Sequence, residues 1–238
     1  MPARFEGHTL RRFDGELNRL HEEILRMADL VTEEIQLALS TFQQPDQEIL
    51  ARVNEKEGQV DRLEKIIDNA ITEVLATEGP LAGDLRAVMA FSKMVTDLER
   101  LGDEAARIAQ LSARICNQEI GLTGTYMLRD IGIMSDHACA LLKEAFEILH
   151  TLDQERAKAL LASNDLGKEF CTSFRVLTSY VLEDTRNMRY IVNSVMILKS
   201  LERIGDHARN IAELVIYLVR GTDVRHSGLA RRGSDAAE

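Results

Sequence analysis

Apolar residues return every three or four positions through almost the whole chain, the period of a helix buried along one face. Leu17, Leu20, Ile24, Met27, Val31, Ile35, Ala38, Leu39 and Phe42 form the first such stripe. Thr9 can cap this helix, and Gln43-Gln44-Pro45 ends it near Phe42. Leu63, Ile66, Ile67, Ala70, Ile71, Val74 and Leu75 form a second stripe, predicting a helix from about Asp46 to Glu78 with a local bend at Gly58. Gly79-Pro80 interrupts the chain before a third helix that reaches about Asn117. Gly121 and Gly124 lie in the most breaker-rich interior stretch. Beyond them the pattern predicts helices over about Tyr126–Thr151, Gln154–Glu183 and Thr185–Val219, the last stopped by Gly221.

The third and sixth helices carry the same segment. Residues 97–109 read DLERLGDEAARIA and residues 200–212 read SLERIGDHARNIA, identical at eight of thirteen positions. At the same offset of 103, Leu85, Arg86 and Val88 match Met188, Arg189 and Ile191. The first and fourth helices align at 107, pairing Met27 with Met134, Asp29 with Asp136 and Ala38 with Ala145. The change of offset implies a shorter connection in the second copy. Three long helices joined by short turns form an antiparallel bundle. The expected fold is therefore all-α, two tandem three-helix bundles: 9–120 for the first copy and 121–222 for the second. Residues 1–8 and the Gly/Ser/Arg-containing tail 223–238 are expected to be disordered.

Composition agrees. Hydrophobic residues make up 45%, aromatics only 5%, and there is no Trp and three Pro, which suits a Leu/Ile/Val/Met/Ala helical core and gives a β-rich fold almost no support. The net charge of −10 argues against a nucleic-acid partner and for cations or basic protein surfaces. Cys116, Cys139 and Cys171 are scattered, with no CxxC, and read as buried small apolar residues. No secretory signal and no apolar run of about 18 residues is evident. A cytoplasmic protein without direct membrane insertion is the expectation.

Each copy places a Glu and an Asp four residues apart, Glu99/Asp103 and Glu202/Asp206, hence on one helix face. In the sixth helix the core stripe Ile197, Leu201, Ile204, Ala208, Ile211 and Val215 leaves both carboxylates pointing away from it. Like charges at this spacing destabilise a helix by roughly 0.2–0.5 kcal/mol, a cost that a hard cation or a neighbouring Arg reverses. Oxygen donors suit Mg, Mn, Ca or Fe; Asp29, Glu33 and Asp61 are further candidate ligands. Arg100 and Arg203 could instead neutralise the pairs, giving salt-bridge nodes without metal. Gly102 and Gly205, each costly inside a helix, point to close packing there. Di-iron bundles use Glu-x-x-His on two helices; only Glu147–His150 fits, so a carboxylate-bridged metalloenzyme or metal-storage bundle stands as the alternative. His207, which has Glu104 in its place in the first copy, could join a metal shell, but the expectation is a surface His forming a hydrogen bond or salt bridge. No nucleophile–base pair or phosphate loop is present, so there is no catalytic residue to name. A second apolar flank, Ile191, Val195 and Leu198, reads either as inter-bundle packing or as a dimer or partner contact.

The doubled Leu-Glu-Arg-Ile/Leu-Gly-Asp segment, Asp84-Leu-Arg86 after a Gly-Pro break, the Met27-centred first helix and the ending Val219–His226 together resemble the PhoU family of bacterial phosphate-signalling regulators. Thr77-Glu-Gly-Pro80 departs from that family's usual turn. The resemblance implies metal ions (divalent or ferric; Mg, Mn, Fe or Zn) bound through Glu99, Asp103, Glu202 and Asp206, with Arg86, Arg100, Arg189 and Arg203 in structural or partner roles. It also implies a homodimer and a non-enzymatic adaptor, peripherally associated at the inner membrane. Its partners would be the ATPase of the phosphate ABC transporter and a sensor histidine kinase, and it would restrain the starvation response when phosphate is plentiful.

Overall fold

A computed structural model describes residues 11–42, 46–116, 122–163, 166–183 and 188–221. Among these, seven helices account for nearly everything: α1 (Arg11–Ser40), α2 (Gln47–Glu78), α3 (Gly83–Cys116), α4 (Leu122–Thr151), α5 (Gln154–Ala162), α6 (Leu166–Glu183) and α7 (Met188–Arg220). The two tails expected to be disordered, and the predicted boundary near residue 120, lie outside the described residues.

Local chemistry sets the ends. Asp46 caps α2 by accepting from the Glu48 N–H at 3.0 Å, and Gly79 closes that helix in the left-handed region at φ 54°. Between these ends α2 runs unbroken through Gly58. Asp153 caps α5 by accepting from the N–H groups of Glu155 and Arg156. Helix α4 begins at Leu122, so Gly124 is accommodated inside it. The predicted fifth helix is two. Ser163 is extended at φ −73°, ψ 170°, with both its N–H and its hydroxyl turned onto the Leu160 carbonyl. This Ser163 side chain competes with helical hydrogen bonding and ends α5.

Helices α1, α2 and α3 pack on one another, and α7 packs on α4, α5 and α6. The two groups meet mainly through α3 and α7, with a smaller contact between α1 and α4. One apolar cluster runs through both, including Leu98, Leu101 and Ile108 of α3 and their repeats Leu201, Ile204 and Ile211 of α7, all essentially inaccessible. Ile191 and Leu198 are buried and Val195 packs partly against the same cluster, so the second apolar flank is internal packing. A further link is His21, 1% exposed, whose Nε2–H donates to the Leu149 carbonyl at 2.9 Å while its ring stacks on Phe91. It joins α1 and α3 to the last turn of α4. Of the cysteines, Cys139 is half-buried and Cys171 exposed, so the expectation of uniformly buried thiols fails.

Arg86 lies against the end of α7. Gly221 adopts φ 73° and donates its N–H to the Tyr217 carbonyl at 2.8 Å, and a Cβ there would fall 2.3 Å from Arg86 Nη1. The guanidinium thus sits at the negative end of the α7 dipole. Gly221→Ala should cost about 1–2 kcal/mol through left-handed strain and displacement of Arg86, lowering the melting temperature by roughly 2–8 °C. A thermal melt followed by circular dichroism that does not move would contradict this packing.

Candidate functional site

The antiparallel crossing of α3 and α7 brings the two copies of the repeated segment face to face. Arg203 donates to Glu104 at 2.8 Å, while His207 and Asn210 donate to Asp97 at 2.8 and 3.0 Å. In an exact two-fold arrangement every such pair would recur with the copies exchanged. Here the offset of 103 maps Glu104 onto His207 and Asp97 onto Ser200, so like positions carry unlike residues and the pairing is specific for one copy against the other. The two carboxylates are largely removed from water, Asp97 at 8% and Glu104 at 6% exposed, whereas Arg203 reaches Glu104 from the exposed side. Arg209 extends the node by donating to the Leu161 carbonyl at 2.7 Å. Over it lies an open groove of about 740 Å³ lined by Arg100 and Asp103 from one copy and by Arg203 and Asp206 from the other.

A second gathering of charge belongs to the first bundle alone. Gly102, on α3, has no Cβ, and the point where one would stand is 3.2 Å from an oxygen of Glu34 on α1 and 3.2 Å from an oxygen of Glu57 on α2, with Val60 at 3.5 Å. The glycine makes room for carboxyl side chains; the close neighbour is a pair of glutamates, not a helix backbone. Glu34 is 0% exposed. Counted as carboxylates, both Glu34 oxygens and the buried Glu57 Oε2 have no donor to accept from. The two groups hydrogen-bond each other only when one carries a proton. Burial, that hydrogen bond, and the charges of Glu57 and Asp61 push the Glu34 carboxyl up to about 10, against the pull of Lys56. Burial raises Glu57 as well, as do the charges of Asp103 and Asp61, although the hydrogen bond to Glu34 works the other way. Glu64 is raised by burial and then by Asp68 and Asp61. Glu99 is raised by burial and then by Asp103, Glu64 and Asp61, with Arg100 opposing.

The sequence candidates separate on this geometry. Glu99, Asp103 and Asp61 share one electrostatic neighbourhood with Glu34 and Glu57. Glu33 instead pairs with Lys56 at 2.5 Å, and Asp29 lines a different groove, between α1 and α4. In the second bundle Glu202 is paired with Lys199, Asp206 faces the inter-bundle groove, and Gly205 looks onto Leu166 rather than onto carboxylates. The Glu144 carboxyl there is held low, chiefly by its hydrogen bonds from Arg156. Arg86 serves the α7 end and Arg203 serves Glu104, while Arg189 is exposed. Among the described residues, no three carboxyl, His or Cys side chains stand in a ready coordination arrangement. The donor set nonetheless fits a hard cation. It is all oxygen, partly dehydrated, and lacking the positive charge its burial demands.

Glu34, Glu57 and Glu64 were absent from the sequence candidates, though signals existed. Glu34 interrupts the Val31–Ile35–Ala38 stripe with a charge, and Glu57-x-x-x-Asp61 repeats on α2 the spacing of Glu99-x-x-x-Asp103 on α3. No described helix is long and apolar enough to cross a membrane.

Comparison with known proteins supplies the lineage. A model of the PhoU domain matches residues 24–112 and again 131–215. The chain is 37% identical over 225 residues to a phosphate-specific transport system accessory protein PhoU homolog of Pseudomonas putida, covering 94% of this chain and 87% of that one. It is 28% identical to the Escherichia coli K12 accessory protein PhoU, over 93% and 90% of the two chains. The crystal structure of PhoU from Pseudomonas aeruginosa superposes with a TM-score of 0.80 at 37% identity, covering 88% of this chain and all of that one. That of the phosphate transport system regulatory protein PhoU from Streptococcus pneumoniae gives 0.79 at 23% identity, a likeness of fold. Two domain matches, one over each copy of the repeated segment, together with a relative aligned along nearly the whole length, place this chain in the PhoU family.

Proposed function

We propose that this chain is an accessory regulator of phosphate-specific transport. It acts without catalysis, as an adaptor between the ATPase of the phosphate ABC transporter and a sensor histidine kinase, and holds the starvation response off when phosphate is plentiful. The observation that carries the transport assignment is 37% identity, over 94% of the chain, to a protein named as an accessory of phosphate-specific transport. Long rigid helices presenting charged faces suit docking between other proteins. As a homodimer in the cytoplasm the chain would reach the membrane only through those partners.

A hard cation at the first bundle belongs to the same proposal. Glu34, Glu57, Asp61, Glu99 and Asp103 would hold it, and bound there it would supply the positive charge that lets these carboxylates ionise together. The protein's own part is mechanical. Glu34 comes from α1, Glu57 and Asp61 from α2, Glu99 and Asp103 from α3, so drawing these groups together tightens three helices. Gly102 keeps the space between them open. The same α3 carries Asp97 and Glu104 into the inter-bundle node, which ties the acidic face to the docking of the second bundle.

Co-purification from cells of the source organism tests the adaptor role. The tagged chain should bring down the transporter ATPase or the sensor kinase in phosphate-rich medium. Recovery of neither, after cross-linking, would remove the adaptor assignment.

A further inference from the structure

The doubled segment suggests equal halves, but the space above its glycine is filled differently in each. Over Gly102 stand two carboxyl oxygens, each 3.2 Å from the missing Cβ. Over Gly205 stands the side chain of Leu166, its Cδ1 only 2.6 Å from that point. Leu166 is 3% exposed and belongs to the apolar core. A dehydrated ion bound there would lose water without gaining oxygen ligands.

The remaining charges follow the same division. Among the described residues, the acidic oxygens that are buried without a donor are those of Glu34, Glu57 and Glu104, all on α1–α3. Several of the second bundle's carboxylates already have basic partners: Glu202 has Lys199, Glu169 has His137 at 2.8 Å, and Glu144 has Arg156 at 2.8 Å, while Asp206 lies in the field of Arg203. These ion pairs leave little for a cation to neutralise. Glu34 has no such partner: it is fully buried, faces another carboxyl group rather than a base, and stands beside the gap at Gly102.

We infer that the two copies have diverged in ligand chemistry: the first bundle takes a hard multivalent cation, and the second, with Leu166 over Gly205, takes none. This rests on the cation reading given above and narrows it from a property of the repeated segment to a property of one copy. It also removes Glu202 and Asp206 from the ligand set and leaves them to the surface and the groove between the bundles. The function of the second copy is then to complete α3–α7 packing rather than to duplicate the site.

The test is equilibrium dialysis of the full chain against Mn²⁺, with bound metal measured by elemental analysis and free Mn²⁺ by electron paramagnetic resonance. Wild type, Glu57→Gln/Asp103→Asn and Glu202→Gln/Asp206→Asn are compared, with circular dichroism to verify folding. The first-bundle variant should bind Mn²⁺ at least about tenfold more weakly, since losing even an outer-shell partner of a metal site costs about 10–100-fold. The second-bundle variant should match wild type. If Glu57→Gln/Asp103→Asn does not fold, Glu34→Gln alone serves and should show a loss in the same direction. Bound metal that falls by half in each double variant overturns the inference while sparing the cation reading. Wild-type protein that binds no Mn²⁺, Mg²⁺ or Fe overturns both.

Discussion

Replacing Glu34 with Gln raises the melting temperature of the metal-free protein at neutral pH and flattens its dependence on pH. In the folded chain the Glu34 carboxyl is held protonated up to about 10, mainly by burial, whereas an unfolded chain releases that proton near 4.5. Between those values the native state binds one proton more than the unfolded state, so stability falls as pH rises. Below about 4.5 both states are protonated, and above about 10 both are ionised; in neither range does this group add a slope. Gln keeps the shape, carries no charge and donates an amide N–H toward Glu57. The gain is negligible at pH 4.5 and grows with pH, with an upper bound of about 5 kcal/mol at pH 8, which is on the order of 10 °C or more for a chain of this size. Thermal melts in EDTA from pH 4.5 to 9 measure it. A variant with the wild-type slope would show that the Glu34–Glu57 pair is not buried as described.

His207→Ala destabilises the chain by loosening the two bundles from each other. The imidazole and the Asp97 carboxylate are 13% and 12% exposed at the side-chain level, so the pair lies in an environment where a lost partner is costly. Removing His207 leaves Asp97 with Asn210 as its remaining donor on α7. The expected cost is about 1–3 kcal/mol. Asp97→Ala should cost a similar amount, and the double variant less than the sum, with a coupling of about 1 kcal/mol or more. Denaturant unfolding of the four proteins gives the cycle. Additive losses would mean that the contact between copies owes nothing to this pair. Arg203→Ala should have a smaller effect because its side chain is 48% exposed, and solvent screens what the Glu104 contact contributes.

Much of this architecture was legible in the sequence because helices of this length announce themselves through period alone. The stripe Leu17–Phe42 and the repeated Leu-Glu-Arg-x-Gly-Asp needed no tertiary information. The division of the fifth helix was harder, since Leu160, Leu161 and Leu166 keep apolar spacing across a break that Ser163 makes by bonding back to Leu160. The site was legible only in outline. Glu99, Asp103 and Asp61 could be found from spacing, but the buried partner, Glu34, belongs to another helix and to no repeated motif. What distinguishes Gly102 from Gly205 lies entirely in the residues opposite them, Glu34 and Glu57 against Leu166. A glycine in a sequence reports that space is needed, and says nothing of what fills it. The shift from an offset of 103 to 107 was the one sequence hint that the opposing helices differ between copies.

The central claim, regulation of the phosphate response, is tested most directly by transcript levels of phosphate-starvation genes in phosphate-rich medium. A strain lacking this chain, the same strain carrying the wild-type gene, and the parent are compared. The account predicts that starvation genes are expressed without the chain despite ample phosphate, and fall silent again when it is restored. Expression that stays at the parental level in its absence would contradict it.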